Sequence, residues 1–257
     1  MYPAMAATLL TIDKGVATIT LNCPDEKNSL GPRLINALGD DIKVCMANDD
    51  VRAVVLTNNG NTFCAGANLK GGGGEAARYT LVDIFKIMQA GPKAIVGRIN
   101  GHCTGGGVGL ASACDISVIV NTATVGFTEV RIGVAPAIIS VVCLPKLRRG
   151  DAAELMLSGE KISAERAVHV GLFNYAVAPS ELDAKCEELT EKLVRGGPMA
   201  MDATKQLVYR VPGMSTDEAF EWTAEVSARC FLSPEARQGI AAFNKREDAP
   251  WVPKARL

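Results

Sequence analysis

The chain has 257 residues, of which 48% are hydrophobic and 21% charged. That balance excludes wholesale disorder, and a chain of this length removes roughly 70–75% of its unfolded surface from water on folding. Lys plus Arg number 27 and Asp plus Glu 28, a net charge of −1, so electrostatics give no case for nucleic acid or an anionic membrane surface as a partner.

The longest apolar runs, such as Ile138 to Leu144, fall far short of the roughly 18 residues of a membrane span. The N-terminal MYPAMAATLL lacks a charged n-region and reads as the entry to a strand, not as a signal peptide. The eight cysteines include no CxxC pair and there are only two histidines. A zinc site is therefore not expected, the cysteines read as reduced, buried small hydrophobes, and the expected compartment is cytoplasmic.

In chain order, TLLTI (8–12) and VATITLN (16–22) predict a hairpin through Asp13-Lys14-Gly15. Pro32 marks a helix start, after which Leu34, Ile35, Leu38, Ile42, Cys45 and Met46 share one face. Strands are expected at 52–57, 94–99, 116–120 and, shorter, 125–127, with helices at 79–89 and 108–114. From about Gly150 helices are expected at 150–158, 163–170, 180–196, 198–210, 215–231 and 233–244, with Ser163 and Ser233-Pro234-Glu235 as N-terminal signals. Strands alternate with helices and no linker divides them, which argues α/β. The division is a core over 1–195 and a helical C-terminal region over 196–257.

Three elements carry candidate chemistry. In Phe63-Cys64-Ala65-Gly66-Ala67-Asn68-Leu69 a strand enters a turn of nearly bare backbone, whose N–H groups can face a cavity; a plain strand-exit turn is the alternative. In Asn100-Gly101-His102-Cys103-Thr104-Gly105-Gly106-Gly107 a glycine triplet lies between a strand and a helix, and the unpaired N–H groups of a helix start attract negative charge. The triplet is neither a Walker A loop nor a dinucleotide fingerprint. In Phe127-Thr128-Glu129-Val130-Arg131, Glu129 stands among apolar neighbours, where desolvation raises a carboxyl pKa toward values useful for proton transfer; the alternative is a surface Glu paired with Arg131.

Taken in order, these segments resemble the enoyl-CoA hydratase/isomerase (crotonase) family over nearly the whole chain. FCAGANL resembles the family's F-x-A-G-A-D-[IL]. INGHCTGGGVGLASACDI, FTEVRIGVAPAIIS, LSGEKISAERAVHVGLFNYAV and SPEARQGIAAFNKR resemble four further family motifs. The resemblance implies a spiral of ββα turns with a helical C-terminal trimerisation region, and assembly as a homotrimer or a hexamer of paired trimers. It implies an acyl-CoA thioester as ligand, with coenzyme A part of the substrate and no separate cofactor or metal. Carried over by motif position, Ala67 and Gly106 supply the N–H donors of an oxyanion hole and Glu129 the acid/base. Ala65, Asn68 and Leu69 border the acyl-CoA site, and Lys245, with Arg246, meets the nucleotide phosphates or stands as solvated charge.

The departures from the family pattern bear on activity. The usual first glutamate is replaced by Gly109, and the usual Asp of the AGAD turn by Asn68. The glycines around 109 are expected to leave room for a glutamate. The phrasing is closest to bacterial hydratases of branched or glutaconyl-type thioesters. The leading expectation is hydration of the C2=C3 bond of a 2-enoyl-CoA. The same residues serve a Δ3,Δ2-enoyl-CoA isomerase, and a binding protein with little turnover is a further reading. His102 and His169 read as structural, Cys64 and Cys103 as packing. Glu75 is either a replacement acid or a solvated loop charge, and Gly71–Gly74 either a lid or a plain loop.

Overall fold

The computed structural model describes residues 6–69 and 75–253; the Gly71–Gly74 run lies outside them. Strands β1 (Thr8–Asp13) and β2 (Val16–Leu21) pair antiparallel, Thr8 opposite Leu21, as the hairpin signal predicts. Lys14 and Gly15 turn the chain at φ 46° and 79°. Ala17, Ile19 and Leu21 point inward on alternate positions of β2. Helix α1 (Pro32–Ala47) lays Leu34, Leu38, Ile42 and Cys45 on the core. Pro32 is tolerated there because the first helical N–H has no partner in any case.

Three ββα turns follow. The first is β3 (Ala53–Asn58), β4 (Thr62–Cys64) and α2 (Leu81–Ala90), the helix opened by a Thr80–Asp83 capping box. The second is β5 (Ala94–Ile99), β6 (His102–Thr104) and α3 (Gly106–Ser112). The third is β7 (Ile116–Val120), β8 (Thr124–Gly126), a 3-10 turn over Thr128–Ile132 and α4 (Ala137–Cys143). In each turn the first strand joins a large sheet and the second a small one. The large sheet runs β1-β2-β3-β5-β7 and is closed by β10 (Tyr175–Val177); the small one runs β4-β6-β8 and is closed by β9 (Lys161–Ser163). From β2 to β10 the large sheet is parallel. Its strands are buried runs such as Ala53–Leu56, as expected of parallel strands covered on both faces.

The other helices are α5 (Arg149–Ser158), α6 (Ala164–His169), α7 (Leu182–Val194), α8 (Pro198–Arg210), α9 (Thr216–Phe231) and α10 (Pro234–Lys245). Ser163 and Ser233 cap α6 and α10 by accepting from Arg166 N and Ala236 N. Helix α7 packs on β3, β5 and β7. Helix α8 is tied to the sheet by charge. Lys205 Nζ lies 2.9 Å from Asp115 Oδ2 and donates to Lys93 O at 2.8 Å, and the Tyr209 hydroxyl donates to Asp115 Oδ1 at 2.8 Å. Such a buried pair is tolerable only with its remaining hydrogen-bonding capacity met.

Two asparagines hold the corner where β3 and β5 hand over to β4 and β6. Asn28 is fully buried; its Oδ1 accepts from Cys23 N at 2.8 Å and its Nδ2 donates to Asn59 O and Thr62 O. Asn58 Nδ2 donates to Asn100 O at 3.0 Å, while Asn100 N donates back to Asn58 Oδ1 at 3.1 Å. Seven of the eight cysteines are buried and Cys230 is half-buried; all eight are free thiols. Burial pushes the thiols of Cys64, Cys114 and Cys143 up to about 12. No helix among the described residues is long and apolar enough to cross a membrane.

The sequence pattern misses α4 and the three-residue strands β6, β9 and β10, and starts α3 two residues late. The second difference matters, because α3 begins at Gly106 itself.

Candidate active site

The chain after β4 turns at Ala65-Gly66-Ala67, and the chain after β6 turns at Gly105 into α3. Neither turn admits a side chain where they meet. Gly66 (φ +83°) would place a Cβ 2.9 Å from Thr104 O and 3.0 Å from Gly106 N, and Gly107 would place one 2.1 Å from Cys64 O. Several of the turn carbonyls and N–H groups are used for anchoring. Leu30 N donates to Gly66 O at 2.7 Å, Ala65 N to Lys27 O at 3.0 Å, and Gly105 N to Gly126 O at 3.0 Å. Thr104 Oγ1 donates to Ala65 O at 3.1 Å, which joins the two turns directly. Among the described residues no acceptor is found for Ala67 N–H or for Gly106 N–H, the first N–H of α3. Free N–H groups at a helix start favour an oxyanion.

Both residues line a cavity of about 450 Å³, together with Ala65, Leu69, Thr128 and Glu129. Glu129 comes from the 3-10 turn after β8, which Val134 N closes by donating to Glu129 O at 3.2 Å. Its carboxylate lies over the bare face of Gly105, where a Cβ would stand 3.2 Å from Oε1. Oε2 is inaccessible to water and has no hydrogen-bond partner among the described residues. Burial raises the Glu129 pKa, opposed by its own backbone N–H. Pairing with Arg131 is not found: Arg131 faces Glu160 at 3.5 Å and donates to Ser158 O. A carboxyl group whose pKa is raised by desolvation is a candidate proton carrier.

The structure thus brings Ala65, Ala67, Leu69, Gly106 and Glu129 to one cavity. Asn68 stands half-buried beside them but off the wall, its amide against Gly31. Lys245 is exposed at the end of α10 and does not line the cavity. His102 Nδ1 accepts from Thr124 N at 3.0 Å, a structural use, and His169 is exposed on α6. Glu75 is exposed and accepts from Asn36 Nδ2 at 2.8 Å, away from the wall. Cys64 and Cys103 are packed behind the two turns, their thiols raised by burial. The pattern reading missed Leu30, Ile35, Leu81, Val134, Ile138 and Ile139, which form the apolar wall. The apolar run at 138–144 was the available signal.

The room expected at Gly109 is not there. Gly109 is buried, and a Cβ on it would stand 2.4 Å from Ile139 Cγ2 and 3.0 Å from Phe85 Cζ. The bare face of α3 is filled from α4 and α2.

With the fold and site described, comparison with known proteins identifies the class. The chain matches the enoyl-CoA hydratase/isomerase family over residues 11–254 and belongs to it. It is 33% identical over 245 residues, 91% of this chain and 97% of the relative, to a Thermus thermophilus protein that carries an enoyl-CoA hydratase name. It is 28% identical to the short-chain-enoyl-CoA hydratase of Clostridium acetobutylicum, covering 89% of this chain and 90% of that one. The crystal structure of a Mycobacterium smegmatis enoyl-CoA hydratase superposes with a TM-score of 0.88 at 30% identity, covering 95% of this chain and 98% of that one. The ββα spiral is the crotonase fold.

Gly109→Glu is expected to destabilise the protein by at least about 3 kcal/mol, since it adds overpacking to a buried charge; urea unfolding measures it, and a change below about 1 kcal/mol would mean that the packing yields there. Glu129→Gln is expected to act in the opposite direction at neutral pH. The folded-state pKa of Glu129 lies above its unfolded value. The native state therefore binds the proton more tightly, and stability falls as pH rises from the unfolded pKa through the folded one. Removing the charge should raise the unfolding midpoint at pH 7 and leave it unchanged at pH 3.

Proposed function

We propose that the chain is an enoyl-CoA hydratase that adds water across the C2=C3 bond of a 2-enoyl-CoA with one carboxylate. The observation that carries this reading is the unpaired oxygen of Glu129 in the cavity that the free N–H groups of Ala67 and Gly106 also border. The thioester carbonyl oxygen sits against those two N–H groups. Glu129 takes a proton from water as the water oxygen bonds to C3. The C2=C3 electron pair moves toward the thioester and leaves an enolate whose oxygen the two donors hold. The carboxyl group then returns the proton to C2, so that water is added in net and Glu129 is restored. Placement of acid and donors before the charge develops is what the reaction gains from the fold.

A second reading has its own support. The filled space at Gly109 leaves an apolar wall where a second carboxylate stands in two-glutamate relatives of the family pattern. With water kept from C3, the same Glu129 would take a proton from C2 of a 3-enoyl-CoA and return it to C4, which is isomerisation. Incubation with crotonyl-CoA separates the two: hydration removes the absorbance of the conjugated enoyl thioester, whereas an isomerase leaves it and creates it from a 3-enoyl-CoA. Persistence of crotonyl-CoA overturns the hydratase reading.

Glu129→Gln is expected to keep acyl-CoA affinity and to lower turnover at least about 100-fold, the low end for a positioned acid/base; activity within tenfold of the parent would remove Glu129 from the mechanism. Gly106→Pro removes the N–H at the first helical position, where proline is accepted, while its Cβ would press on Leu30 Cδ1 at 2.8 Å. With circular dichroism first showing native helix content, kcat should fall by about 10²–10³-fold. We also propose that α9 and α10 meet other copies of the chain in a homotrimer or hexamer, because they expose Phe220, Phe231, Leu232 and Phe243, the last 81% accessible. A monomeric mass in light scattering would overturn that part.

A further inference from the structure

We propose that the acyl pocket is built for an uncharged hydrocarbon chain and discriminates against acyl groups that carry a second carboxylate. The inference rests on the acyl-CoA reading of the cavity and adds the chemical class of the acyl group, against the glutaconyl-type class that the sequence phrasing favours.

The wall around Glu129 is contributed by three separate segments. Leu30 and Ile35 come from the start of α1 and the chain before it, Leu81 from the first turn of α2, and Val134, Ile138 and Ile139 from the loop after the 3-10 turn and from α4. All six present hydrocarbon. Among the described residues that line the cavity, Glu129 carries the one ionisable side chain and Thr128 the one neutral polar side chain. Two cationic groups near the site in sequence, among the described residues, are turned elsewhere: Arg131 faces Glu160, and Arg78 forms a bidentate pair with Asp40, donating from Nη1 at 2.9 Å and from Nη2 at 2.5 Å.

A second carboxylate on the acyl chain therefore meets two costs at once. It loses water against a wall whose described residues offer the Thr128 hydroxyl and no cation, which is expensive for an ionised group. It also brings a negative charge into the same low-dielectric space as Glu129, whose own oxygen is already buried and unpaired. The two free N–H groups do not relieve this, because the thioester oxygen occupies them. A methyl-terminated chain of the same shape loses nothing and gains burial of its hydrocarbon against the wall.

The test compares two saturated thioesters that differ only at the end of the chain, so that neither is turned over. In 5-methylhexanoyl-CoA two methyl groups stand where glutaryl-CoA has its two carboxylate oxygens. Titration calorimetry on the full chain is expected to give 5-methylhexanoyl-CoA an affinity about 100-fold higher, which is about 2.8 kcal/mol at 1.4 kcal/mol per tenfold. A preference below tenfold overturns the inference and leaves the acyl-CoA reading intact. Failure of both ligands to bind overturns the acyl-CoA reading, and the inference with it. A charge-bearing variant tests the cause. Ile138 is 48% exposed at the cavity wall, so Ile138→Lys can carry an ammonium group there without burying it. This variant is expected to raise glutaryl-CoA affinity at least about tenfold; unchanged affinity in a folded variant would overturn the electrostatic origin of the preference.

Discussion

The close approach of two backbones, at Gly66 and at Gly105–Gly107, is the constraint on which the site depends. A Cβ at Gly66 or at Gly107 would overlap a carbonyl or an N–H of the opposite turn. Contact at this distance makes the separation of the Ala67 and Gly106 N–H groups a property of two packed main chains. It does not depend on side-chain rotamers. The parallel pairing of β4 with β6 delivers both turns to the same level, and the Thr104 hydroxyl on the Ala65 carbonyl locks them. Asn28 and Asn58, farther back, fix the corner from which both strands leave. The third participant follows from the same absence of side chains, since Glu129 reaches the cavity across the surface that Gly105 leaves bare.

Around this frame the cavity holds partial positive charge on one side and one carboxylate on the other, with hydrocarbon elsewhere. In such a medium each interaction is stronger than in water and each unmatched charge is costlier. In the proposed reaction an enolate oxygen forming at the two N–H groups would therefore be well held. Glu129, raised in pKa by the same burial, is the group that the proposal assigns to carry the proton. Ile139 on α4 and Phe85 on α2 close the face of α3 at Gly109, so the proposed reaction assigns both proton transfers to Glu129.

Much of this was legible in the residues. The hairpin, α1, α2 and the capped helices carry periodicity or caps that local physics produces, and the bare turns at Ala65–Ala67 and Gly105–Gly107 mark where a backbone can face a cavity. The glutamate among apolar neighbours is likewise a local signal, although only the family resemblance distinguished it from a partner of Arg131. What was not legible depends on distant packing. Helix α4 is a seven-residue apolar run whose period cannot be told from that of a buried strand. Strands β6, β9 and β10 have three residues each, too few for an alternation. The space beside Gly109 looked open because its sequence neighbours are small, and it is filled by Ile139 from another element. Lys245 was singled out by motif position, and within one chain nothing brings it to the cavity.

The buried cysteines give this architecture an internal clock. Cys64 and Cys103 lie immediately behind the two turns, and burial keeps their thiols protonated, hence unreactive, while the fold is closed. An alkylating reagent can modify them only in molecules that have momentarily opened, so their labelling rate reads the opening equilibrium of the turns. Cys186 on α7, packed on β3, β5 and β7, and Cys45 on α1, packed on β1 and β2, read those contacts in the same way. The chain therefore carries, without any introduced probe, separate gauges for how often the two glycine turns at the cavity breathe and how often other parts of the molecule do.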